Sequence, residues 1–163
     1  MTELANNHFP IMISLKNETE TLSLGEDLSK LIQNGMYVAL EGDLGVGKTT
    51  LTRGILRGLG FKGIVKSPSY SIVETYKVHG LHFHHFDFFR FNSAYEFAEA
   101  GLEEKFNPMD VCVVEWPEKA KDYLPKADLK IKMNHRDLAR SASITSETLS
   151  GLTCLKRLKK ERI

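Results

Sequence analysis

The sequence predicts an α/β fold: one domain built on a mixed, mostly parallel sheet with helices on both faces. Three observations carry this. A strand-like run, Tyr37–Glu41, leads through a glycine-rich loop into a helical pattern marked by Leu51, Ile55 and Leu59. The run Val111–Val114 is continuously apolar, as in a buried parallel strand, and ends on Glu115. At 163 residues, with 42% hydrophobic and 26% charged side chains, the chain has the size and composition of one soluble globular domain.

The glycine loop is the most informative stretch. Gly42-Asp43-Leu44-Gly45-Val46-Gly47-Lys48-Thr49 fits the phosphate-binding pattern G-x-x-x-x-G-K-[ST] without a mismatch, and Thr50 follows it. Its glycines let the backbone turn tightly with N–H groups facing inward. Those donors, with the positive end of the next helix, hold a polyphosphate. In this pattern the Lys48 ammonium serves the β- and γ-phosphates, and the Thr49 hydroxyl is a Mg²⁺ ligand. The expected fold is therefore that of a P-loop NTPase.

Ile11–Leu15 reads as a short strand, after a loose end over residues 1–10. Asn17, with Glu20 three residues on, has the pattern of a helix N-cap. Leu24, Leu28, Leu31 and Ile32 mark one helical face, and Gly35 is the expected stop. After the loop unit, residues 61–66 form a connection and Ser67-Pro68-Ser69 a turn. Tyr70–Tyr76 and Leu81–Asp87 read as an antiparallel hairpin. Ser93 and Glu96 open a helix predicted over 94–105, and Asn107-Pro108 closes it. Pro117 starts a short helix. Leu129–Met133 and Ser141–Thr145 are late strands. Residues 147–163 read as a helix with Leu149, Leu152, Leu155 and Leu158 as its apolar stripe. The chain divides as a phosphate-loop domain over 1–150 and a basic helix or tail over 151–163.

A phosphate loop needs acidic partners for Mg²⁺ and water, and in open α/β sheets sites gather at the carboxyl ends of strands. That rule selects Glu115, at the end of its strand, over Asp110 at the start. Asp87, at the end of the second hairpin strand, is the second acidic candidate. Ser69 follows the first helix of the nucleotide unit and precedes the hairpin, the chain position of switch I in small GTPases. It reads as a γ-phosphate sensor by that analogy, or as turn chemistry around Pro68. Trp116 either stacks on a base or plugs the core. Arg90 either reaches a phosphate or pairs with a carboxylate. Strand alternation puts His82 and His84 on one face and His85 on the other, so the histidines around His79–His85 make a poor zinc site. The Asn/Thr-Lys-x-Asp tetrapeptide of a guanine site is missing, which favours ATP.

The net charge of +1 gives no general attraction to nucleic acid or anionic membrane. It is uneven: Lys156, Arg157, Lys159, Lys160 and Arg162 face only Glu161, so residues 1–155 hold 17 basic against 20 acidic side chains, a net of −3. Cys112 and Cys154 have neither the number nor the spacing of a disulfide framework or zinc site. With no apolar run of signal-peptide or membrane-span length, a reducing cytoplasm is the expected compartment.

Four ordered motifs together resemble the bacterial TsaE family, the ATPase subunit of the tRNA threonylcarbamoyladenosine machinery. They are Gly42–Thr50, Lys66-Ser67-Pro68-Ser69-Tyr70, His85-Phe86-Asp87-Phe88-Phe89-Arg90 and Val114-Glu115-Trp116-Pro117-Glu118, with Thr21–Gly25 also similar. The resemblance covers about residues 11–145. It implies ATP binding and slow hydrolysis, with Mg²⁺ held by Thr49 and Glu115. It places the nucleotide against Gly45, Val46, Gly47, Lys48, Thr49 and Thr50, near Thr19, Thr21 and Trp116. Lys48, Asp87, Glu115 and Ser69 form the expected catalytic set. The implied partners are a transferase subunit and its paralogue, which modify adenosine 37 of certain tRNAs and are reset by ATP turnover; contact with tRNA is indirect. The family usually has Thr at position 69, where Ser69 keeps the hydroxyl, and Tyr at position 89, where Phe89 lacks it. The alternative readings are a small-molecule or nucleotide kinase, for which only the 60–69 and 116–126 connections are available as a lid, and a scaffold gated by bound ATP.

Overall fold

The computed structural model describes residues 10–162; of the loose end read at residues 1–10, residues 1–9 lie outside them. Seven strands form one mixed sheet: β1 (Ile11–Leu15), β2 (Tyr37–Glu41), β3 (Val73–Val78), β4 (Leu81–Asp87), β5 (Val111–Glu115), β6 (Leu129–Arg136) and β7 (Ala139–Thr145). Their order is β1-β7-β6-β2-β5-β4-β3. The contacts β6–β2, β2–β5 and β5–β4 are parallel, and those involving β1, β3 and β7 are antiparallel. Five strands thus run in one direction, with β3 and β7 reversed. The central strands β2 and β5 are paired on both sides and read as near-continuous apolar runs for that reason.

Helices α1 (Glu18–Ser29), α2 (Lys48–Leu59) and α4 (Leu149–Arg162) cover one face. Leu24, Leu28, Leu51, Ile55, Leu155 and Leu158 from these helices pack on Val38, Leu40, Phe83 and Val113 of the sheet. The other face carries α3 (Tyr95–Glu99) and 3-10 turns at Leu102–Lys105 and Pro117–Tyr123. There Phe86, Phe88, Phe97, Phe106 and Val114 form a second, aromatic core.

The predicted elements occur, with instructive shifts at their ends. Asn17 caps α1, its side chain accepting from the Glu20 N–H at 2.9 Å, while the Glu20 carboxylate accepts from the Lys16 N–H. The helix ends at Ser29 rather than running to Gly35; Leu31 stays buried in the turn that follows. The first hairpin strand starts at Val73, not Tyr70, because the Ile72 N–H donates to the Pro68 carbonyl at 2.7 Å and closes a turn. Ile72 takes φ 72° there, a left-handed conformation costly for a β-branched residue. The helix predicted over 94–105 breaks at Gly101 (φ 64°) into α3 and a 3-10 turn. Leu149 is 61% exposed, so the inward stripe of α4 is Leu152, Cys154, Leu155 and Leu158.

Candidate nucleotide site

The carboxyl ends of β2, β4 and β5 lie side by side at one edge of the sheet, since all three strands run parallel. Each delivers a functional group to the same place: the glycine loop after Glu41, Asp87, and Glu115 with Trp116. Two reversals add further groups. The Ser67–Ser69 turn precedes β3, antiparallel to β4, and Arg140 opens β7, antiparallel to β6. The result is a cleft of about 380 Å³ lined by Glu18, Leu44, Gly45, Gly47, Lys48, Thr49, Thr50, Ser67, Ser69, Asp87, Glu115, Trp116 and Arg140.

The loop has the backbone its sequence requires. Gly42, Gly45 and Gly47 take φ of 141°, 75° and 113°, and Gly47 caps the twelve-residue helix α2. A Cβ on Gly47 would lie 2.7 Å from Arg140 Nη1, so the bare backbone leaves room for that guanidinium. The Val46 side chain turns away from the cleft into the core at 1% exposure; only its backbone belongs to the loop. Lys48 is 5% exposed and folds back over the loop, its ammonium donating to the carbonyls of Gly42 and, at 3.1 Å, Asp43. The same ammonium sits 4.2 Å from the Trp116 ring centre, and burial lowers its pKa from the ordinary lysine value.

Glu115 and Asp87 face each other in register on adjacent strands, both on the α2 side of the sheet. The Thr49 hydroxyl donates to Glu115 Oε2 at 3.0 Å. Asp87 accepts from the Phe89 N–H at 2.9 Å and the Ser67 hydroxyl at 3.2 Å. Burial, the largest cause, nonetheless holds the Asp87 carboxyl above its ordinary pKa, with the Glu115 charge adding to the rise. Ser69 borders the cleft and accepts from Arg90 Nε at 3.3 Å; the Arg90 guanidinium lies over the exposed Tyr70 ring at 4.0 Å. Among the described residues Arg90 thus holds the Ser69 turn rather than a carboxylate. Trp116 takes φ 58°, packs against Phe89 at 5.0 Å and borders both the cleft and the aromatic core.

These residues fit a magnesium nucleotide. A hydroxyl and two carboxylates supply the hard oxygen donors Mg²⁺ prefers, beside a helix N-terminus and a lysine suited to phosphate. Thr19 and Thr21 are not part of the cleft lining. Thr19 is exposed at the start of α1, and Thr21 is fully buried, its hydroxyl donating to the Asn17 carbonyl at 3.4 Å. From that helix it is Glu18 that reaches the cleft. Sequence reasoning missed Glu18 and Arg140; Arg140 enters only through the β6–β7 register, which no local pattern announces.

The histidines separate by face. His84 bonds Thr75 at 2.8 Å and Asp110 at 2.8 Å on the aromatic side, whereas His85 points to the cleft side. Among the described residues no group of three or more His, Cys, Asp and Glu side chains forms a metal cluster, and no helix is long and apolar enough to cross a membrane.

Residues 15–143 match the model of the family "Threonylcarbamoyl adenosine biosynthesis protein TsaE". The chain is 37% identical over 142 residues to the tRNA threonylcarbamoyladenosine biosynthesis protein TsaE of Haemophilus influenzae, covering 84% of this chain and 90% of that protein. It is 37% identical over 115 residues to the Bacillus subtilis protein of the same name, covering 71% and 72% of the two chains. The crystal structure of Bacillus subtilis YdiB superposes with a TM-score of 0.81 at 28% identity, over 94% of this chain and 97% of that one.

Proposed function

The chain belongs to the TsaE family of threonylcarbamoyl adenosine biosynthesis proteins, and from that premise we propose that it is the Mg²⁺-dependent ATP-binding and hydrolysing subunit of the complex that forms threonylcarbamoyladenosine at position 37 of tRNA. In this reading its turnover is slow and resets a partner transferase, which works with its own paralogue in the cytoplasm. The observation that supports it is the meeting of Lys48, Thr49, Asp87 and Glu115 in one cleft beside the glycine loop.

When bound, Mg²⁺ would neutralise charge developing between the β- and γ-phosphates. The loop N–H groups and Lys48 bind and orient the phosphates, and Lys48 exchanges its carbonyl partners for phosphate oxygens. Thr49 and Glu115 are the metal-holding residues. Asp87, its pKa raised by burial, is placed to accept a proton from water. Ser69, released from Arg90, reports the γ-phosphate. The domain over 1–150 carries this machinery, and the basic helix after it faces solvent with Lys156, Arg157, Lys159 and Lys160.

Phosphate release from ATP, with Mg²⁺ and with chelator, tests the chemistry. Lys48→Ala should lower turnover by roughly 10²–10³-fold with an unchanged melting temperature, and Glu115→Ala should remove the Mg²⁺-dependent hydrolysis. Unchanged turnover in Lys48→Ala removes the assignment. Affinity capture with and without ATP should retain the two partner proteins only with nucleotide; capture of neither overturns the role in the complex.

A further inference from the structure

His85 is fully buried, and its Nε2 lies 2.6 Å from Glu115 Oε2. An ionised carboxylate only accepts, so the imidazole proton of this bond is on Nε2. The other ring nitrogen, Nδ1, is buried without a hydrogen-bond partner among the described residues. Buried polar atoms are rarely left bare, and here the ring is turned so that its single bond goes to Glu115. Oε2 therefore takes two donors, His85 Nε2 and the Thr49 hydroxyl. Oε1 takes none among the described residues, and Glu115 lines the cleft.

We propose that His85 is the positioning residue for the metal site: it anchors Glu115 so that the Thr49 proton is drawn to Oε2, and the Thr49 lone pairs and Oε1 are left for a divalent cation. The need for an anchor follows from the sheet. Asp87 and Glu115 stand in register on the same face, and like charges so placed repel. Asp87 is held by Phe89 and Ser67. On the buried side, Glu115 is held by His85, one position back along the same face of β4. Without that donor, Glu115 is free to turn away from Asp87, and the Thr49 hydroxyl loses the acceptor that orients it.

This inference rests on the nucleotide-site reading, and its test separates the two. Mn²⁺ is titrated against the protein–ADP complex and followed by electron paramagnetic resonance, while ADP affinity is measured separately in EDTA. His85→Phe should weaken Mn²⁺ binding about 10–100-fold, the usual effect of removing an outer partner of a metal ligand. ADP affinity in EDTA should stay as in the wild type, and His85→Gln, which can return an N–H donor near the Nε2 position, should restore most of the Mn²⁺ affinity. Wild-type Mn²⁺ affinity in His85→Phe overturns the inference, as does an equal loss of ADP affinity in EDTA, which marks a merely structural role. If the wild type binds ADP no better with Mn²⁺ than in EDTA, the metal-site reading itself fails and takes the inference with it. A measurement on the unaltered protein covers the case in which His85→Phe does not fold. ¹⁵N NMR should show His85 protonated at Nε2, with that N–H protected from exchange and its shift moved by Mg²⁺ with ADP; a ring protonated only at Nδ1 overturns the proposal.

Discussion

Asp87 shows how one buried side chain is set against the stability of the fold. Burial raises its pKa above the ordinary carboxylate value of 3.8. A carboxyl held high in the folded state binds its proton more tightly there than in the unfolded chain. Its stabilising contribution is complete below the unfolded value and is lost as pH rises through the raised one. At neutral pH the ionised group is a cost to the fold. Asp87→Asn keeps an acceptor for Phe89 and a partner for Ser67 while removing the charge. Thermal melts should show the variant more stable than wild type at pH 7.5, with the difference vanishing below about pH 4, while ATP turnover falls roughly 10²–10⁴-fold. An equal gain in stability at both pH values would mean that ionisation of Asp87 is not the cause. The strand-end rule reached Asp87 and Glu115 from the sequence because the carboxyl end of a strand can be read locally. It could not pair Glu115 with His85, because their contact depends on the β4–β5 register, and it missed Arg140 because β7 meets the loop only through β6.

At the scale of elements, the site depends on how closely α1 and α2 cross. Their contact is made at glycines. A Cβ on Gly25 would lie 2.6 Å from the Leu51 carbonyl oxygen, and one on Gly54 would lie 2.5 Å from that of Leu22. Both contacts are to backbone, so a side chain there can be accommodated only by moving a helix. The helix N-termini on either side carry Glu18 and the phosphate loop, so the same movement opens the cleft. Alanine would ordinarily stabilise a helix by about 1 kcal/mol relative to glycine. Here Gly54→Ala should instead destabilise by about 1–3 kcal/mol through overpacking, measured by urea unfolding, and should weaken nucleotide binding. A variant as stable as wild type would refute the close crossing. Periodicity revealed both helices, but not that the glycines in them are contact points. The same limit explains the misplaced ends elsewhere. Apolar alternation continues through Tyr70–Ile72, yet the turn onto Pro68 takes those residues out of the sheet.

The whole molecule is one layered unit, and α4 is the element whose role the sequence leaves most open. Its composition reads as a basic appendage, since four of its cations face solvent. Its inward face tells against detachment. Leu152, Leu155 and Leu158 are each 5% exposed or less, and Leu155, Leu158 and Cys154 belong to the same core as α1 and α2. The Cys154 thiol donates to the Leu31 carbonyl, and Arg162 reaches Asp27 on α1 at 2.7 Å. Gly151 passes so close to the residue that leads into β6 that a Cβ would lie 1.6 Å from the Asp128 carbonyl oxygen. Burying one leucine contributes roughly 1.5–3 kcal/mol, so three are comparable with the 5–15 kcal/mol that typically separates folded from unfolded domains. Truncation after Thr148 should therefore abolish the cooperative thermal transition seen by circular dichroism and leave an aggregation-prone chain. Neutralising Lys156, Arg157, Lys159 and Lys160 to Gln should leave the transition within a few degrees of wild type. The two variants separate the roles that the sequence joins in one segment: a basic appendage predicts that truncation is harmless to the fold, whereas a core helix predicts that only the charges can be given up.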